Sequence, residues 1–142
     1  MDACRELFRE YERSLGVSLC FQGFDRELAE LPGDYVPPRG GLWLVRSAGG
    51  IAGCVALRRL DREAAEMKRL YVKPSHRGQG LGLALARHAI ESARAMGYST
   101  LKLDTLPAMV EAQRMYSRLG FVEAAPYNDN PVDGVRFLAL AL

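Results

Sequence analysis

The segment HRGQGLG (His76–Gly82) constrains the fold more than any other part of this 142-residue chain. Three glycines alternate directly behind Arg77, after an apolar stretch with β-strand character (Leu70–Val72). The residues that follow are rich in alanine and leucine and predict a helix. Glycines at a helix start let backbone N–H groups turn toward an anion, and the helix dipole adds partial positive charge. The segment therefore predicts a phosphate-binding loop between a strand and a helix.

A simple helix cap, a dinucleotide-binding turn and a Walker loop each fit this segment less well. A turn that only caps the helix would need one or two glycines, fewer than are present. A dinucleotide-binding G-x-G-x-x-G pattern requires glycine or alanine at position 83, which is Leu83, although Asp104 lies where a ribose-binding acid would. A Walker loop ends in G-K-[ST], which is absent. Both nucleotide patterns fail on spacing.

Composition predicts one globular domain over residues 1–142. The formal net charge of +2 gives no argument for nucleic acid or a membrane surface. No apolar window reaches the roughly 18 residues of a membrane span, and the N-terminus is too acidic for a signal peptide. Cys4, Cys20 and Cys54 form no CxxC pair, so we expect reduced, mostly buried thiols and a cytoplasmic protein.

Apolar periodicity and turn residues predict an α/β fold. Residues 31–41, with three prolines and three glycines, are expected to form a loop. The 80–96 crossover implies one parallel pair in an otherwise antiparallel, mixed sheet. The predicted helices span residues 2–15, 80–96 and 108–119, and the predicted strands span residues 42–45, 51–57, 66–72, 100–104, 121–125 and 135–140.

The loop and its surroundings resemble the GNAT N-acetyltransferase superfamily. EMKRLYVKPSHRGQGLG resembles that family's fourth strand, pyrophosphate loop and following helix, and LKLDT resembles its fifth strand. AQRMYSRLGF matches its A-x-x-x-Y-x-x-x-G-F signature, and the closing PYNDNP segment resembles the PYxxNP loop of small bacterial members. The resemblance covers roughly residues 42–142. It implies the GNAT fold, a mostly antiparallel mixed sheet with a splayed central parallel pair and flanking helices.

The resemblance also implies that acetyl-coenzyme A (acetyl-CoA) is the cosubstrate, bound where the fourth and fifth strands splay. The backbone of Leu70, Tyr71 and Val72 would pair with the pantetheine amides, and an N–H near Leu70 would polarise the thioester carbonyl. The pyrophosphate would lie on the loop residues Arg77, Gly78, Gln79, Gly80, Leu81 and Gly82. No metal is implied.

Three side chains are candidates for the chemistry. Tyr116 matches the family's signature tyrosine, whose hydroxyl protonates the departing thiolate, although its helical spacing also suits core packing. Glu66, at the start of the fourth strand, and Asp104, at the end of the fifth, are alternative bases for the incoming amine. Each acid can also be an exposed strand-end residue. The sequence slightly favours Glu66 and does not separate the two.

Two features depart from the family pattern. Met109 stands where many members have an asparagine that contacts the coenzyme. The family also begins with a strand before its first helix, whereas this chain begins directly in a predicted helix. Either the sheet lacks this strand or the start of this sequence is late. We hypothesise the first, with an exposed sheet edge that pairs with another chain and gives a homodimer.

These features predict an N-acetyltransferase that moves an acetyl group from acetyl-CoA to a primary amine by direct attack. The sequence favours a small-molecule acceptor, because nothing marks a peptide groove. Alternatives are a non-catalytic coenzyme A-binding domain and a protein N-terminal or lysine acetyltransferase. Neither nucleic acid nor a membrane is expected as a partner. Residues 20–41 and 125–134 are expected to shape the acceptor pocket, through Phe24, Tyr35, Tyr127, Asn128, Asp129 and Asn130.

Overall fold

The computed structural model describes residues 1–16 and 23–142, so Cys20 lies outside the described residues. The helices of the described chain are α1 (Asp2–Leu15), α2 (Phe24–Glu30), α3 (Leu81–Ala95) and α4 (Val110–Leu119). Its strands are β1 (Gly41–Ser47), β2 (Gly50–Arg59), β3 (Ala64–Val72), β4 (Thr100–Thr105), β5 (Val122–Glu123) and β6 (Arg136–Ala141).

The strands form one mixed sheet in the order β1-β2-β3-β4-β6-β5. All neighbours are antiparallel except β3 and β4, which are parallel and joined by α3. The predicted sheet class and its single parallel pair are therefore confirmed. β1 lies at one edge, and within residues 1–16 and 23–142 no strand pairs with its outer side. Pairing of that edge with a second chain stays a prediction.

Several element boundaries differ from the sequence prediction. Helix α2 was not predicted, and β5 has only two of the five expected residues. β3 starts at Ala64 rather than Glu66, because the Asp61 carboxylate accepts hydrogen bonds from the Glu63 and Ala64 N–H groups and closes the turn after β2. α4 begins at Val110, two residues later than predicted, because a turn after β4 precedes it.

Two apolar cores lie on opposite faces of the sheet. β2 contributes to both, because alternate side chains of a strand point to opposite sides. Val55 and Leu57 join the core under α3, whereas Cys54 and Ala56 join the core under α1 and α2. The sheet is thus covered on both faces, as the parallel pair requires.

The parallel pairing between β3 and β4 ends after three residue pairs, the last of which joins Glu66 to Lys102. Beyond this point β3 continues along β2, and β4 continues along β6. The facing edges of the two central strands are therefore unpaired with each other over residues 67–72 and 103–105. This is the splayed parallel pair that the family resemblance implies.

A β-bulge in β3 lies beside this opening. Cys54 pairs with Tyr71 and Ala56 pairs with Lys68, so two residues of β3, Arg69 and Leu70, oppose one residue of β2. Arg69 has a φ of 59°, in the left-handed region that few non-glycine residues adopt. A bulge re-aims the side chains around it. Here the Arg69 side chain reaches α2, which covers this face of the sheet.

Candidate active site

The predicted phosphate loop connects the end of β3 to α3. Gly78 and Gly80 have φ angles of 82° and 76°, so the turn itself requires glycine at both positions. Gly80 is the N-cap of α3 and offers no side chain to the first N–H groups of the helix. Gly82 does not have a positive φ, and a Cβ there would meet only Val72 Cγ2, at 3.8 Å. The start of α3 is therefore a backbone surface suited to an anion.

Arg77, the side chain expected to help bind the pyrophosphate, lies against the end of β3. Its Nε donates a hydrogen bond to the Val72 carbonyl at 3.0 Å, and its guanidinium lies 5.7 Å from the Tyr71 ring centroid. The Tyr71 hydroxyl donates to Glu10 at 2.7 Å. Burial and this hydrogen bond raise the pKa of Tyr71 to about 12. These contacts fix the strand end that precedes the loop.

A narrow pocket occupies the point where β3 and β4 diverge, and two of the candidate residues, Tyr116 and Asp104, line it. Tyr116 is buried and makes an edge contact with Phe121, with 5.6 Å between ring centroids. Burial raises the pKa of Tyr116, so its hydroxyl keeps its proton at neutral pH. The ring thus packs in the core while its residue borders the pocket, and the general-acid role stays a prediction.

Asp104 is half-buried near the end of β4. Its Oδ2 accepts hydrogen bonds from the side-chain amides of Asn128 at 2.9 Å and Asn130 at 3.1 Å. Both amides donate to the same oxygen, so these two contacts do not occupy Oδ1. The loop that the sequence assigned to the acceptor pocket is therefore attached to one of the candidate bases.

Glu66, the other candidate base, is completely buried. Its Oε1 accepts a hydrogen bond from Arg58 Nε at 2.7 Å, and its Oε2 accepts one from the Tyr127 hydroxyl at 2.6 Å. Burial and the charge of Glu66 raise the pKa of Tyr127. Glu66 borders neither the narrow pocket nor the larger one beside it. In this conformation Arg58 and Tyr127 each occupy one oxygen of its carboxylate.

The larger pocket has a volume of about 670 Å³ and lies between α2 and the 126–131 loop. The wall on the α2 side includes Glu27 and Tyr35, and the opposite wall includes Asn128 and Asp129. Tyr35 was predicted for this pocket, whereas Phe24 is packed in the core under α2. Lys68 and Asn130 line both this pocket and the narrow one, so the two spaces meet between them.

Several residues of this region were missed by sequence reasoning. Arg69 forms a bidentate ion pair with Glu27, with both N–O distances 2.9 Å, and this pair holds α2 against the sheet. Arg58 and Lys68 supply cations beside Glu66. One signal was available, since the charges of Glu66, Lys68 and Arg69 interrupt a strand whose other residues are apolar, and so predict buried ion pairs.

Thiol, metal and membrane functions find less support among the described residues. Cys4 and Cys54 are buried free thiols, and burial raises the pKa of Cys54 to about 12, so neither resembles an activated nucleophile. Within residues 1–16 and 23–142, no group of three His, Cys, Asp or Glu side chains could hold a metal ion. None of the helices in the same part of the chain combines the length and apolar character of a membrane span.

Comparisons with known proteins point to one family. Residues 1–121 match the model of the Acetyltransferase (GNAT) family. The chain is 38% identical to an uncharacterized N-acetyltransferase of Schizosaccharomyces pombe, over 100% of this chain and 88% of that protein. It is 29% identical to the N-acetylaspartate synthetase of Danio rerio, over 88% of this chain and 45% of that protein. A GNAT acetyltransferase structure from Staphylococcus aureus superposes with a TM-score of 0.82 at 23% identity, covering 98% of this chain and 93% of that one.

Proposed function

Because the chain belongs to the GNAT acetyltransferase family, we propose that it transfers the acetyl group of acetyl-CoA to the amine of a small molecule. Family membership makes it an acetyl-CoA-dependent acyltransferase. The observation that carries the proposal is the splayed β3–β4 pair, which has a phosphate-type loop at one end and the pocket of Tyr116 and Asp104 at its apex. Cys4 and Cys54 are free thiols, which are typical of proteins in reducing compartments. The proposal therefore includes a cytoplasmic location.

The residues present fit a bound acetyl-CoA. The unpaired edge of β3 at Leu70, Tyr71 and Val72 offers main-chain donors and acceptors to the amides of its pantetheine arm. The loop from Arg77 to Gly80 and the first residues of α3 offer N–H groups and positive dipole charge to its pyrophosphate. The thioester supplies an activated acetyl group with a thiolate leaving group. The narrow pocket is where we expect this thioester to lie.

Two side chains of the narrow pocket divide the proton transfers. The Tyr116 hydroxyl keeps its proton at neutral pH and donates it to the departing thiolate. Asp104 accepts a proton from the incoming ammonium group, directly or through a water molecule. We assign the base to Asp104 rather than Glu66, because Asp104 borders the pocket while Glu66 is sealed beneath Tyr127 and Arg58.

The acceptor enters through the larger pocket between α2 and the 126–131 loop. That pocket meets the narrow one beside Lys68 and Asn130, so an amine placed there can approach the thioester. The similarity to N-acetylaspartate synthetase, whose name designates an N-acetylated amino acid as product, supports a small acceptor. It makes α-amino acids the first group of amines to test.

The test is release of free coenzyme A thiol from acetyl-CoA across a panel of amines. The panel contains α-amino acids including aspartate, polyamines, and peptides with free N-termini. We expect amine-dependent thiol release with one or more small amines. Activity with peptides alone would instead identify a protein acetyltransferase, and binding of acetyl-CoA without amine-dependent release would identify a coenzyme-binding domain.

In the same assay, Asp104→Asn is expected to lower kcat/KM roughly 10- to 100-fold at neutral pH. The loss is expected to shrink as the pH rises, because the amine then loses its proton to solvent without a base. Glu66→Gln is the comparison variant, and its melting temperature is measured alongside because Glu66 pairs with buried groups. If Glu66→Gln stays folded and loses more activity than Asp104→Asn, the base is Glu66.

Gly82 provides a separate test of the donor site. Alanine is accommodated there in the free protein, since its Cβ would make only an ordinary contact with Val72 and the position is helical. We therefore expect Gly82→Ala to keep the free energy of unfolding or raise it by up to about 1 kcal/mol. The added methyl would lie where an anion approaches the helix start, so the Kd for acetyl-CoA is expected to rise about tenfold or more. Calorimetric titration with acetyl-CoA measures this, and an unchanged Kd would contradict the assigned loop.

A further inference from the structure

Lys68 is an amine of the protein itself that lies where the acceptor amine is expected to arrive. It follows Glu66 by two residues in β3, so the two side chains share one face of the sheet. Its side chain is 9% exposed. Lys68 lines both the narrow pocket, with Tyr116 and Asp104, and the larger acceptor pocket. No other lysine of the described residues borders either space.

The surroundings of Lys68 make its ammonium group easier to deprotonate than that of an exposed lysine. Burial lowers the pKa of its ammonium group, and the positive charges of Arg69 and Arg58 act in the same direction. The Glu66 carboxylate, 3.9 Å from Nζ, opposes this effect but also provides a base at close range. An amine with a lowered pKa is less costly to deprotonate, and a nearby carboxylate can receive the proton.

We propose that Lys68 is an acetylation site of the enzyme itself, modified by acetyl-CoA bound in the same chain when no acceptor amine fills the pocket. The proposal rests on the proposed function, since it needs the thioester to lie in the narrow pocket. Nζ loses one proton to Glu66 and attacks the thioester carbonyl carbon. The new N–C bond forms and the C–S bond breaks. Nζ loses a second proton as it becomes an amide nitrogen, and the thiolate takes up a proton, so the net products are the amide, the thiol and one proton.

Acetylation would change the site in two ways. It removes the positive charge that faces Glu66, and it adds bulk where the two pockets meet. Both changes would hinder an incoming amine. The modification would therefore stop turnover in molecules that bind acetyl-CoA without an acceptor.

The sequence makes this inference simple to test, because the chain has only three lysines, Lys68, Lys73 and Lys102. The full-length protein is incubated with acetyl-CoA alone, treated with hydroxylamine to remove any thioesters on cysteine, and analysed by intact-mass and peptide mass spectrometry. We expect one acetyl group per chain at Lys68, added at least about tenfold faster than at Lys102, because only Lys68 borders the pocket in which the thioester is expected to lie. The rate per chain should not depend on protein concentration.

Two variants complete the experiment. Lys68→Arg is expected to abolish the single acetylation, whereas Lys102→Arg, on the neighbouring strand and outside both pockets, is expected to retain it. Acetylation spread evenly over the three lysines, or a rate that rises with protein concentration, would overturn the inference. Amine-dependent thiol release by a protein whose Lys68 stays unmodified would overturn it while leaving the proposed function intact. Absence of both reactions would overturn both.

Discussion

Replacing Arg69 with alanine is expected to lower the free energy of unfolding by about 3–5 kcal/mol, because it leaves the Glu27 carboxylate without its buried partner. Arg69 is 3% exposed and Glu27 is 16% exposed, so solvent replaces the lost contacts only in part. Burial alone would raise the pKa of Glu27, and the hydrogen bonds and charge of Arg69 outweigh it, so the pKa is lowered. Urea unfolding of the two proteins at neutral pH measures the difference.

The pH dependence of this difference follows from the lowered pKa of Glu27. A carboxyl group whose pKa is lower in the folded state stabilises that state fully at pH values above its pKa in the unfolded chain, about 4.3. This stabilisation is lost as the pH falls through the pKa of the folded state. The cost of Arg69→Ala should therefore shrink as the pH falls, first as the buried and unpaired Glu27 of the variant takes up a proton, and then as the pH passes below the unfolded value of about 4.3 and the wild type loses its ion pair. A destabilisation that is the same at all pH values would mean that lost packing, rather than the unpaired charge, is responsible.

Two control variants separate the effect of losing the buried ion pair from the effect of backbone conformation at position 69. Arg26 pairs with Glu30 on the exposed side of α2, with 82% and 59% of the side chains exposed, so Arg26→Ala should have almost no effect. Arg69→Gly also removes the ion pair but suits the left-handed φ of 59°. We expect it to be about 1 kcal/mol more stable than Arg69→Ala, since Gly lacks the Cβ that opposes this conformation.

Tyr116→Phe is expected to lower kcat about 100- to 1,000-fold, because it removes the hydroxyl proposed to protonate the departing thiolate. The ring and its edge contact with Phe121 are preserved, so the fold should be retained. The Kd for acetyl-CoA should change little, since the proposed role arises in the reaction rather than in binding. Single-turnover thiol release and calorimetric titration measure the two quantities separately.

Tyr98→Phe is the matched control for this substitution. Tyr98 is also buried, but its hydroxyl donates to the Arg39 carbonyl at 2.6 Å, and the residue borders neither pocket. The Tyr98→Phe variant should be about 1 kcal/mol less stable, because it loses this hydrogen bond, and its kcat should be unchanged. Turnover by Tyr116→Phe that equals wild type across the pH range would rule out Tyr116 as the general acid.

The larger elements of the fold were predictable because their patterns are local. The apolar residues Cys4, Leu7 and Phe8 follow a helical period in α1, and a similar period marks α3. Helix α2 has seven residues, too few for a reliable period, and the ion pair from Arg69 holds it in place. A short helix stabilised by a residue 42 positions away in the chain cannot be recognised from its own sequence.

The sequence allowed the candidate residues of the site to be chosen, but it did not allow their contacts to be predicted. The signature spacing selected Tyr116, and the strand pattern selected Glu66 and Asp104, but nothing local distinguishes a sealed carboxylate from one that borders a pocket. That difference depends on hydrogen bonds from Tyr127 and Asn130, which lie 61 and 26 residues from their partners. The bulge at Arg69 also breaks the alternation of β3, so sequence periodicity no longer assigns faces beyond Lys68.

The short parallel contact between β3 and β4 determines which molecules can compete with the donor substrate. Over residues 67–72 and 103–105 the sheet has two inner edges that face each other. Their main-chain groups can form hydrogen bonds with amides at a suitable spacing, whatever side chains the bound molecule carries. Any extended chain with peptide-like spacing can add to such an edge by β-augmentation. We therefore expect strand-like peptidomimetics that carry no phosphate and no thioester to inhibit by competing for this edge, as a chemical class distinct from analogues of the nucleotide.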